Sequence, residues 1–82
     1  MKKITWMRKA LKQLKKMPQH DKVHIDKAVN NLANETGNQD IKTLKNHVYG
    51  YRLRVGQYRI LFDQDNNVID IQEVKKRDEN TY

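Results

Sequence analysis

The chain contains no cysteine, only one proline and three glycines, and no apolar run longer than three residues. Lack of cysteine removes disulfide staples and any thiolate metal centre. The short apolar runs leave neither a membrane span nor the apolar stretch of a secretion signal, so the cytoplasm is the expected location. Glycine-rich phosphate loops and nucleophile elbows are absent as well, and no cofactor or metal is expected. At 82 residues the chain is too short for two self-sufficient domains. A single domain over residues 1–82 is expected, burying roughly 60% of its unfolded surface.

Basic charge is what the sequence has in excess. Seventeen Lys and Arg against ten Asp and Glu leave +7, which points to a polyanionic partner. The surplus is unevenly placed. Residues 1–17 carry seven Lys and Arg and no acid, and residues 51–62 carry Arg52, Arg54 and Arg59 and no acid. Residues 63–74 hold Asp63, Asp65, Asp70 and Glu73 with no base. Charged residues reach 33%, yet apolar positions recur with clear periods, which disordered polar chains lack.

Those periods predict the elements. Residues 2–6 are short enough for an edge strand, and Met7, Ala10, Leu11, Leu14 and Met17 follow helical spacing up to Pro18. Ile25, Ala28, Val29, Leu32 and Ala33 then form one continuous helical stripe, with Gly37 as the expected helix stop and residues 34–40 as loop. Beyond the loop the period changes to two. Tyr51, Leu53 and Val55 alternate with Arg52 and Arg54, Gly56-Gln57 fits a tight turn, and Tyr58 to Phe62 and Val68 to Val74 read as further strands. The expected fold is α+β: an N-terminal strand and a two-helix hairpin packed on an antiparallel sheet, ordered β-α-α-β-β-β.

Alternation turns Arg52 and Arg54 to the face opposite Tyr51, Leu53 and Val55, with Arg59 on the next strand. Guanidinium groups so placed can bind phosphate bidentately and stay charged at every relevant pH. The competing assignment makes them solvent-facing charges, with Arg59 paired to Asp63. Tyr51 and Tyr58 are expected to pack against the helices, leaving Tyr49 and Tyr82 freer to stack on bases. His20 and His24 stand at a two-ligand metal spacing without a third ligand, and His47 precedes the Arg52 strand.

The ordered run Tyr51-Arg52-Leu53-Arg54-Val55-Gly56-Gln57-Tyr58-Arg59, preceded by Leu44 and followed by Ile71 and an Arg77 to Tyr82 tail, resembles the RelE/ParE superfamily of toxins. Its members carry a "yR-x-R-x-G-x-YR" hairpin, a closing strand and an "R-x-x-x-x-Y" tail, and the basic first helix matches too. The resemblance implies the RelE-like fold and a toxin of a type II toxin-antitoxin pair, with a cognate antitoxin, the ribosome and messenger RNA as partners. It further implies a ribosome-dependent endoribonuclease in which a ribose 2′-hydroxyl attacks the adjacent phosphate. On that basis Arg59 would stabilise the phosphate, Arg77 the transition-state charge or leaving group, and Tyr82 would stack on a base or orient the hydroxyl. Arg52 and Arg54 stand where RelE proteins place lysines; since arginine does not give up its proton, they are expected to clamp phosphate. A general base would then come from His47, Glu73 or Tyr82. Lys9, Lys12 and Lys16 on the first helix are expected to dock on ribosomal RNA. Two alternatives stay open: a ParE-like inhibitor of DNA gyrase, and a non-catalytic RNA- or ribosome-binding module.

Overall fold

The computed structural model describes residues 2–37 and 39–76. Along the chain these form β1 (Lys3–Trp6), α1 (Arg8–Lys15), α2 (Gln19–Asn34), β2 (Asp40–Thr43), β3 (Tyr51–Val55), β4 (Tyr58–Gln64) and β5 (Val68–Lys76). The strands join in one sheet ordered β1-β5-β4-β3-β2. Pairings from β2 to β5 are antiparallel, whereas β1 lies parallel to β5. The α+β class and the helical hairpin on an antiparallel sheet are as expected. The order gains one strand, β2, in what reads as polar connection. Among the described residues no helix is long and apolar enough to cross a membrane.

One face of the sheet supplies Leu53, Ile60, Phe62, Ile69, Ile71 and Val74 to the core, and α2 covers it with Ile25, Val29, Leu32 and Ala33. Phe62 is the largest fully buried side chain, stacked on Tyr51 at 5.3 Å between ring centroids. Replacing such an aromatic by alanine removes about 3–5 kcal/mol. The stripe expected on α1 is only partly buried. Ala10 is enclosed in the core with Leu14 and Met17 packed against it, but Met7 and Leu11 are exposed; α1 meets the sheet at the edge of β5.

That edge position has a hydrogen-bonding reason. β1 pairs with β5 only as far as Ile71, which would leave the remaining β5 edge open. Met7 N–H donates to the Ile71 carbonyl at 2.9 Å, and the Val74 N–H donates to Gln13 Oε1 at 2.7 Å. A helix side chain thus continues the ladder where the strand stops.

β5 contains a bulge. Leu61 pairs with Glu73, but the next residue, Phe62, pairs with Ile71, so Gln72 is the inserted residue. Inward positions therefore shift from Ile69 and Ile71 to Val74, and Glu73 turns to the face opposite the helices.

The helix stop differs from expectation. Glu35, not Gly37, is the left-handed capping residue of α2, with φ 56°, and Gly37 follows at φ 79°. A left-handed conformation costs a non-glycine residue roughly 1 kcal/mol. Glu35→Gly is expected to stabilise the protein by up to about 1 kcal/mol, raising Tm by roughly 4–8 °C in a thermal melt.

Candidate functional site

The face of the sheet away from α2 carries two rows of long polar side chains. Cross-strand register sets Asp40, Arg54, Arg59 and Lys75 in one row, and Lys42, Arg52, Leu61 and Glu73 in the next. Arg54 stands directly opposite Arg59, which stands opposite Lys75. Like charges so placed destabilise a sheet. Leu61 is buried although it lies on this side and outside the core cluster.

Two carboxylates bound the rows. Asp40, on edge strand β2, reaches Arg52 Nη2 at 3.5 Å and Arg54 Nη1 at 3.8 Å. At the other end Glu73, buried, accepts Lys9 Nζ at 3.1 Å. Arg52 Nη1 and Arg54 Nε are buried and have no hydrogen-bond partner among the described residues. These two nitrogens are donors that an anionic ligand with several oxygens could engage.

Of the expected site residues, the sheet brings together Arg52, Arg54, Arg59 and Glu73, and α1 adds Lys9 from the edge. Lys12 is exposed on α1, and Lys16 is exposed at its C-cap. Arg77 and Tyr82 lie outside the described residues. His47 is exposed in the loop that enters β3 at Tyr51, and its Nδ1 accepts the Tyr49 N–H at 3.1 Å. That loop joins the end of β3 farther from the Arg54–Arg59 pair, so the sheet does not group His47 with the arginines. Tyr49 shares the same loop, its ring 5.8 Å from that of His47. Asp63 accepts the Gly50 N–H at 2.7 Å and Gln72 Nε2 at 3.3 Å. His20 and His24 pack their rings 4.4 Å apart, and no third His, Asp or Glu completes a metal set among the described residues. Lys42 and Lys75 were not read as site residues. The Asp40-Ile41-Lys42-Thr43 alternation is the signal that places Lys42 beside Arg52.

The hairpin that holds the arginines is fixed at its tip. Gly56 has φ 56° while Gln57 stays at negative φ, the arrangement of a two-residue type II′ turn. Tyr58 then turns inward and donates its phenol to Asp21 Oδ2, 2.7 Å away in the first turn of α2.

A family model for the ParE toxin of type II toxin-antitoxin systems matches residues 4–81. The chain belongs to this toxin family. A chain in the crystal structure of the RelB-RelE antitoxin-toxin complex from Methanococcus jannaschii is similar, with a TM-score of 0.73 and 28% identity over 89% of this chain and 89% of that one. One in the archaeal RelE-RelB complex from Pyrococcus horikoshii OT3 shares the fold, with a TM-score of 0.74 at 20% identity over 95% and 97% of the two chains. The curated proteins contain no match. The molecule is a RelE/ParE superfamily toxin, and the hairpin that carried the resemblance is the one presenting its arginine face.

The Asp21 hydrogen bond, then burial, then the Asp21 charge raise the Tyr58 phenol above its ordinary value. Between the unfolded and folded values the unfolded chain loses this proton while the folded toxin keeps it, so stability must fall as pH rises. Below about 10 the contribution is fully present. Tyr58→Phe is expected to cost about 1 kcal/mol near neutrality and to flatten the alkaline decline, measured by urea unfolding from neutral to strongly alkaline pH.

Proposed function

We propose that this toxin is a ribosome-dependent messenger-RNA endonuclease, held inactive by a cognate protein antitoxin. The observation that carries the proposal is the direct opposition of Arg54 and Arg59 next to Arg52, with buried guanidinium nitrogens of Arg52 and Arg54 that have no acceptor among the described residues. A phosphodiester offers such a row several charged acceptor oxygens at once. The likeness to a chain of the Methanococcus jannaschii RelB-RelE complex supports the RelE-type activity and the antitoxin partner.

In this scheme Arg52 and Arg54 clamp the scissile phosphate and Arg59 neutralises charge that develops on its oxygens during in-line attack. Preorganised cations of this kind contribute about 10²–10³ in rate per group. Arg77 would act at the leaving group, and Tyr82 would stack on a neighbouring base. Lys9, Lys12 and Lys16 lie three or four residues apart, near one helical stripe, which suits a docking strip on ribosomal RNA.

A second function, poisoning of DNA gyrase, draws on the ParE description of the matching family. It would use the fold without needing the arginines to converge on one phosphate.

Induced expression is expected to arrest growth and to produce messenger-RNA breaks within codons on translating ribosomes. Arg59→Ala is expected to lower cleavage at least about 100-fold. Intact messages together with inhibited supercoiling would reject the nuclease in favour of gyrase poisoning.

A further inference from the structure

Cleavage through the ribose 2′-hydroxyl requires a proton acceptor beside the phosphate, and the arginines of this face cannot serve. Among the described residues the two rows include only two carboxylates, Asp40 and Glu73. Asp40 sits on the edge strand with a side chain 54% exposed, bridging Arg52 and Arg54. Glu73 has a side chain only 12% exposed and stands diagonally from Arg59 across β4 and β5. That diagonal spans roughly 7–8 Å, a gap that a phosphate on Arg59 and its adjoining ribose can fill.

Glu73 reaches this position by two devices. The Gln72 bulge reverses the alternation of β5, without which Glu73 would point into the core. Gln13 Oε1, bound to the Val74 N–H at 2.7 Å, fixes α1 beside the strand, and Lys9, one turn earlier, then meets Glu73 Oε1 at 3.1 Å. Lys9 therefore meets the carboxylate through Oε1.

We propose that Glu73 is the general base of the cleavage reaction and that Lys9 is the positioning residue that orients its carboxylate; the proposal rests on the endonuclease assignment. Glu73 Oε2 takes the proton from the 2′-hydroxyl as O2′ forms a bond to phosphorus. The P–O5′ bond breaks, its electron pair leaves with O5′, and O5′ takes a proton from water. A 2′,3′-cyclic phosphate and a 5′-hydroxyl result, and Glu73 returns its proton to solvent.

The test uses the purified toxin, freed from its antitoxin, on ribosomes carrying a defined message, with cleavage measured from acid to neutral pH. Wild type should show a rate that falls as the base protonates. Glu73→Gln should lose about 10²–10⁴ in kcat and lose that acid limb, with ribosome affinity changed less than about threefold and Tm within a few degrees. Glu73→Asp should keep partial activity and the acid limb. Lys9→Met should lower kcat more than it alters KM, and Lys9→Arg should restore it.

If wild type cleaves and Glu73→Gln cleaves within threefold with the same pH profile, Glu73 is not the base. A slowed Glu73→Gln that keeps the acid limb would likewise overturn the assignment and leave a structural role. A wild-type toxin that cuts no message on programmed ribosomes would overturn the endonuclease assignment itself, and this proposal with it.

Discussion

Register in the β3–β4 hairpin is the constraint from which the rest follows. The Gly56-Gln57 turn sets Val55 against Tyr58, and from there Leu53 meets Ile60 and Tyr51 meets Phe62 on the helix side. Parity sends Arg52, Arg54, Arg59 and Leu61 to the other side. A slip of one residue would drive guanidinium groups into the core and bring Leu53 and Phe62 out to water. Burying an unpaired charge costs far more than an apolar contact returns, so the core on one face dictates the cation array on the other. The Tyr58–Asp21 hydrogen bond then ties this register to α2, making the array part of the rigid body of the fold.

An array of opposed cations is a local conflict within an otherwise consistent structure. The helix side of the sheet is apolar at Leu53, Ile60, Phe62, Ile69, Ile71 and Val74, whereas Arg54, Arg59 and Lys75 stand side by side in one row on the other. Asp40 gives partial relief from the edge, through contacts of 3.5 and 3.8 Å that solvent weakens on its exposed side. Conflicts of this kind concentrate at functional sites, where a ligand supplies the missing interaction. In the proposed endonuclease a bound phosphate would offset this crowding of cations.

Much of this was legible in the residues. The α2 stripe of Ile25, Val29, Leu32 and Ala33 and the alternation from Tyr51 to Val55 are long periodic signals, and both elements stand where those periods put them. β2 was not read because four exposed residues with a single isoleucine carry too little hydrophobic contrast to separate a strand from a polar loop. The bulge left a trace in the skipped step from Ile71 to Val74, but a strict two-residue period predicts Glu73 on the wrong side. Glu35 in the left-handed position was hidden because glycine two residues later offers the same conformation at no steric cost. The Lys9–Glu73 contact joins opposite ends of the sequence, and only the docking of α1 on the free edge of β5 creates it.

That docking joins two charge blocks that the sequence keeps apart. By position Lys9 belongs with the lysines of α1, a strip suited to RNA docking; by contact it belongs to the arginine face, through Glu73. Gln13 makes the connection stiff, because its bond to the Val74 N–H cannot be given up without exposing or orphaning a backbone donor. A load on α1 is therefore transmitted to β5 at the very residues that carry Glu73 and Lys75, while the hairpin arginines stay fixed by the core beneath them. In the proposed reaction, an RNA surface that seats the helix would hold Glu73 in register with the arginines, and a protein that pulls the helix away would separate them. The two basic blocks are separate in the sequence and are joined in the fold at the edge of one strand.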